Sequence, residues 1–200
     1  FTGAQHQLVG LRNPALEQES LALLRASATL SARIDGTVDN RQLVVRVTNV
    51  GAGHAFPTGV ADFREIWLEL TVTDANGNIV LTSGQPVNGA VPEDARLFRK
   101  VFGDAEGKPV GLKFWRYAKL LEDTRIPADG WRDEAWPLQA DAKGPFKADI
   151  RLNFRTYPKW VSDAVRAAEP SLPAPPIVQL NRLQLTLQHL PITPDTEPQS

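Results

Sequence analysis

Apolar and polar residues alternate along much of the 200-residue chain, which is the spacing of half-buried β-strands. The clearest alternation covers residues 66–72 and 146–154, and shorter runs cover 30–34, 43–47 and 183–187. Turn residues such as Asp35-Gly36 and Asn76-Gly77 follow two of these runs and predict hairpins. About seven or eight strands are expected, and no strand–helix–strand alternation is present. The pattern therefore predicts a mainly β protein, an antiparallel β-sandwich with two short helices.

The two helices are predicted at residues 15–28 and from Pro158 to Ala168. Residues 111–121 fit either a helix or a strand, and residues 122–145 are expected to be irregular because proline and glycine interrupt them. The expected organisation is an N-terminal lead-in and helix over 1–28, a β-sandwich domain over 29–190, and a disordered tail over 191–200.

Trp67 has the opposite parity to Ile66, Leu68 and Leu70 in the best-defined strand. Its side chain is therefore expected on the other face of that strand. A large aromatic side chain there predicts either a second packed layer or a surface for a partner.

Charge and cysteine content exclude several classes of function. The chain has 22 basic and 23 acidic residues and a net charge of −1, so we expect no nucleic-acid partner. No apolar run approaches the roughly 20 residues of a membrane span, so no span is expected. The chain contains no cysteine, and it therefore has no disulfide, no thiolate metal site and no covalent attachment point for c-type haem.

His54 is the main candidate among the three histidines for a metal ligand. It lies between Gly53 and Ala55 in a loop rich in glycine, so a metal centre, including haem iron, would meet little steric hindrance. Phe56 adds an apolar flank. The alternative is a loop histidine that binds a backbone carbonyl and stabilises a tight connection between strands.

The other two histidines, His6 and His189, carry less information. His189 ends an alternating strand and is expected at the edge of the core, whereas His6 lies in a polar stretch without periodicity. No Gly-x-Ser-x-Gly or His-x-x-x-His pattern occurs, so neither a serine hydrolase nor a zinc enzyme is indicated.

Several segments together resemble a known family. Residues 49–59 read Asn-Val-Gly-Ala-Gly-His-Ala-Phe-Pro-Thr-Gly, a strand containing Trp67 follows, and this strand ends at Asp74-Ala-Asn-Gly77. Residues 123–127 read Asp-Thr-Arg-Ile-Pro. Over about residues 1–155 the chain resembles the haem-free C-terminal β domain of multihaem c-type cytochromes, in the group related to cytochrome c554.

The resemblance implies a non-catalytic part of a periplasmic or extracellular electron-transfer assembly. The Cys-x-x-Cys-His motifs of such cytochromes are missing, so any haem c would belong to a partner chain or to a domain upstream. His54 would then face that haem as a candidate iron ligand, and His6 is a second candidate. Phe56 completes the set of cofactor-binding candidates, although its expected role is to shape the loop.

Two alternatives remain open at this point. The first is a scaffold module without a redox role, which would bind a protein or a carbohydrate through a sandwich face and Trp67. The second is a metal protein, for example a copper protein, which would use His6, His54 and His189 together with a carboxylate.

Overall fold

A computed structural model describes residues 14–188. In this part of the chain, helix α1 spans Pro14–Arg25 and helix α2 spans Lys159–Ala168, and single 3₁₀ turns cover Ala61–Phe63 and Phe114–Arg116. The same residues form nine strands: β1 Ala28–Thr37, β2 Asn40–Asn49, β3 Glu65–Thr73, β4 Ile79–Ser83, β5 Lys100–Gly103, β6 Lys119–Asp123, β7 Trp131–Pro137, β8 Phe146–Arg155 and β9 Val178–Leu187.

Two antiparallel sheets pack face to face. The first has the strand order β1-β2-β7, and the second has the order β4-β3-β8-β9. A separate two-stranded ladder joins β5 and β6. The predicted mainly β, antiparallel sandwich with two short helices is confirmed.

The core forms because alternate positions of the long strands are apolar and point between the sheets. Leu43, Val45 and Val47 of β2 are fully buried, and they share one cluster with the inward side chains of β3 and β8. Leu24 of α1 is also fully buried and joins this cluster. Within the described residues, no helix is long and apolar enough to cross a membrane.

Strand β7 contradicts the expectation that residues 122–145 are irregular. One hydrophobic side chain of β7, Trp136, is buried, so the apolar pattern is weak. Its neighbour β2 holds it through cross-strand pairs instead: Arg46 lies opposite Asp133, with Nε 2.7 Å from the carboxylate, and stacks on Trp131. Such cross-strand pairs cannot be predicted from the spacing of apolar residues.

The other face of β3 is covered by a second layer, which is one of the two outcomes that the parity of Trp67 predicted. The indole of Trp67 is fully buried, and its Nε1 donates to the Gly84 carbonyl at 3.0 Å. Residues 96–98 run along the same part of β3, where the Phe98 amide donates to the Ile66 carbonyl at 2.8 Å. The alternative in which Trp67 contacts a protein or sugar is therefore wrong.

Candidate functional site

The loop that carries His54 is closed by the side chain of Asn49, the last residue of β2. This side chain is almost fully buried, and its Nδ2 donates to the His54 carbonyl at 2.7 Å and to the Pro127 carbonyl at 3.0 Å. Its Oδ1 accepts from the Ala52 amide at 3.1 Å. One asparagine therefore satisfies three backbone groups that a tight loop would otherwise leave without partners.

Glycines allow the loop to take this path. Gly53 has a φ of +66°, a conformation that costs a residue with a side chain more than it costs glycine. Gly51 lies against the end of α1, where a Cβ atom would be 2.7 Å from the Ala26 carbonyl oxygen. The loop is therefore packed against the fold on one side and fastened through Asn49 on the other.

Phe56 anchors the far end of the loop in the core. Its side chain is fully buried, and its backbone exchanges two 2.8 Å hydrogen bonds with Ile126. Residues 123–127, which also resemble the cytochrome family, thus pair directly with the loop. A cofactor held outside this domain cannot reach the ring of Phe56, and its role is to fix the loop.

His54 itself is half-buried, and its Nδ1 lies 3.2 Å from the Ala55 carbonyl oxygen. With the proton on Nδ1, the ring donates this hydrogen bond and Nε2 becomes the nitrogen with a lone pair. Histidines that bind metals commonly use this arrangement, because the bond to the carbonyl fixes the ring and its tautomer. Imidazole nitrogen is a common ligand for haem iron, so His54 stays a candidate by the type of its side chain.

The remaining histidines lie beyond the range of the structure. His6 and His189 are outside residues 14–188, as is the predicted tail at 191–200. Within that range, no group of three histidine, cysteine or acidic side chains is arranged to hold a metal ion.

An apolar cavity lies further along the chain from the His54 loop. It has a volume of about 570 Å³, and its lining includes Val60 and Phe63 from the connection to β3. The remaining apolar side chains come from the β5–β6 region: Phe102, Val110, Phe114 and Tyr117. Such a cavity, with mostly apolar walls, is typical of a surface that receives an apolar partner group.

Residues 108–121, here called the β5–β6 face, expose apolar side chains next to this cavity. Phe114, Trp115 and Tyr117 are 69 %, 71 % and 54 % exposed, and three leucines of the same segment are also exposed. The segment contains four basic residues and no acidic residue. Sequence reasoning missed this face, although the run of aromatic and basic residues without an acid was a usable signal.

Comparison with known proteins gives a likeness of fold. No family model and no curated protein matches the chain. Among solved structures, the chain is similar to a penta-haem cytochrome c552 from Thermochromatium tepidum, with a TM-score of 0.63 and 20% sequence identity. The match covers 83% of this chain and 41% of that one, so the chain spans about two fifths of the cytochrome's length.

A second solved structure that matches is the ApaA protein from Bordetella pertussis. The match covers 82% of this chain and 94% of that one at 15% identity, but its TM-score of 0.29 does not indicate a shared fold. The first likeness shows that this mainly β fold also occurs as part of a multihaem cytochrome. At 20% identity it shows the fold and leaves the function to further argument.

Proposed function

We propose that the chain is a haem-free, non-catalytic β-sandwich part of a multihaem electron-transfer assembly in the periplasm or outside the cell. The observation that carries the proposal is the likeness in fold to part of a penta-haem cytochrome. Because the chain has no cysteine, the haem c of such an assembly belongs to a partner chain or to a domain upstream, and this domain packs against it.

The β5–β6 face is the surface that suits this packing. Its three exposed aromatic side chains present roughly 400 Å², taking about 200 Å² for each full side chain. This is about half of what one partner buries in an interface of standard size. Arg116 of this face already pairs with Asp104 at 3.7 Å, whereas a basic residue such as Lys113 would complement the carboxylate of a haem propionate.

His54 is the residue of this chain that we assign to the haem iron. A bound haem supplies one-electron transfer, and its potential depends on the axial ligand and on the surrounding dielectric. The Ala55 carbonyl orients the imidazole, and Asn49 fixes the loop on which it is mounted. The apolar side chains of the β5–β6 face would exclude water where haem-bearing polypeptide packs against them.

Native purification from the source organism tests the assembly role. We expect c-type haem in stoichiometric amount, measured as the pyridine haemochrome, together with the intact mass of a haem-bearing polypeptide. A natural complex or precursor that contains this chain but no haem overturns the proposal. The same result would favour the scaffold alternative, which the exposed Trp115 and Phe114 also suit as a sugar or protein platform.

A c-type haem undecapeptide with an open axial position tests the ligand assignment. Titration of the chain with this peptide should shift the Soret band as an imidazole binds iron, and His54→Ala should abolish the shift. His189→Ala removes an imidazole that the proposal does not use, and it should leave the shift intact. An unchanged shift in His54→Ala reduces His54 to a structural loop residue.

A further inference from the structure

A second cleft, here called the Arg64 cleft, adjoins the apolar cavity and has a volume of about 480 Å³. The two share Asp62 as a lining residue. The walls of the Arg64 cleft come from the start of β3, from residues 91–99, and from the first residues of α2, Pro158 and Trp160.

Arg64 is a nearly buried cation in this cleft, and the part of the chain that the structure describes gives it no acidic partner. It is 9 % exposed, and its Nη1 donates to the Thr156 carbonyl at 2.8 Å. Among residues 14–188, its Nε is itself buried and has no hydrogen-bond partner, and its guanidinium has no carboxylate within 4.0 Å. Burial lowers the pKa of Arg64. By contrast, Arg155, which is also buried, pairs with Glu65.

The N-terminus of α2 lines the same cleft and adds a second positive feature. Helix α2 has ten residues, and its N-cap is Pro158, which makes no side-chain capping bond. Its first turn contains no acidic residue, so the positive end of the helix dipole is not neutralised within the helix. Anions bind at such helix ends through the free amides of the first turn.

Acidic residues of the cleft limit the charge of the ligand. Asp62, Glu65 and Glu93 also line it, but Glu65 is already paired with Arg155. The other two carboxylates would repel a dianion such as phosphate more strongly than a singly charged carboxylate. Trp160 and Leu97 offer apolar surface for the stem of the ligand.

We propose that the Arg64 cleft binds a single carboxylate group on an apolar stem, held by the Arg64 guanidinium and the N-terminus of α2. The carboxylate belongs either to a small organic acid or to a haem propionate. The site rests on the geometry of the cleft and stands whether or not the chain serves a haem assembly.

The test follows the Arg64 Nε–H and Trp160 amide resonances of the full ¹⁵N-labelled chain during titration with sodium propionate. Both should shift in a saturable way, and neutral propionamide should leave them unchanged. Arg64→Gln should abolish the Trp160 shift. Arg99→Gln, which changes another cleft arginine that is paired with Glu122, should preserve it.

Arg64→Lys keeps the charge but loses the planar fork, and it should weaken binding about tenfold or more. If Arg64→Gln does not fold, Arg64→Lys replaces it as the test of the Arg64 contact. Competition by a haem undecapeptide, but not by its propionate methyl ester, identifies the propionate as the source. Competition by neither leaves a small acid as the ligand. No saturable shift at Arg64, or an equal shift with propionamide, overturns the proposal.

Discussion

The three hydrogen bonds of Asn49 allow a quantitative prediction about the His54 loop. Asn49→Ala removes the bonds to His54, Pro127 and Ala52 without changing any other residue of the loop. A typical bond contributes about 1 kcal/mol net, so about 3 kcal/mol of unfolding free energy should be lost. The upper limit is about 5 kcal/mol, because the two carbonyl oxygens and the amide are partly buried and are left without hydrogen bonds.

Urea unfolding at neutral pH measures this loss, and the m-value should stay unchanged if the fold is retained. Asn181→Ala is the matched control, because its Nδ2 makes one hydrogen bond, to the Ala28 carbonyl at 3.1 Å. The control should lose about 1 kcal/mol. The Ala52 amide should also exchange its hydrogen faster in Asn49→Ala, because its acceptor is gone.

The reasoning is refuted if Asn49→Ala loses less than about 1 kcal/mol, or no more than Asn181→Ala. Either result would mean that water replaces the asparagine without cost and that the loop conformation is fixed by other contacts. The orientation of His54 would then have to depend on Phe56 and the glycines.

Three further predictions concern the anchor, the charges and the exposed face. Phe56→Ala should cost about 3–5 kcal/mol in urea unfolding, because it opens a cavity in the core. The hydrogen bond from Arg46 holds the pKa of Asp133 below its usual range, so its stabilisation is present above about pH 4 and is lost as the pH falls through the lower folded value. Asp133→Asn should therefore flatten acid unfolding and cost under about 1 kcal/mol at pH 7. Trp115→Ser should change stability by less than about 0.5 kcal/mol but weaken haem-undecapeptide binding measured by Soret titration; unchanged affinity would remove the β5–β6 face from the haem contact.

The strands that sequence reasoning identified are those whose inward positions are apolar throughout. In β8, Ile150, Leu152 and Phe154 alternate with polar residues, and the strand spans Phe146–Arg155 as the alternation predicts. Strand β7 could not be found this way, since the pairing of Asp133 with Arg46 depends on a neighbour 87 residues away. A charge pair of that kind is a tertiary contact, and local periodicity does not predict it.

The candidate site also has one part that the sequence indicates and another part that only the structure shows. The glycines and Pro57 around His54 mark an unusual backbone, and the sequence contains this signal directly. Two other features depend on the surroundings after folding: the described residues place no carboxylate beside Arg64, and they leave Trp115 exposed. An arginine that pairs with a carboxylate and one that does not look alike in a sequence, so only the three-dimensional arrangement distinguishes them.

The candidate features are linked by one connection, residues 50–64, which leads from β2 in one sheet to β3 in the other. His54, the Val60 side of the apolar cavity and Arg64 follow each other along it. Both ends of this connection are fixed by sheet pairing, and its middle is fixed by the bonds between Phe56 and Ile126. A variant that loosens any anchor is therefore expected to disturb all three features together, and its loss of binding would not identify the binding group. Variants of exposed side chains, such as Trp115→Ser, avoid this difficulty because they change the contact surface and leave the anchors in place.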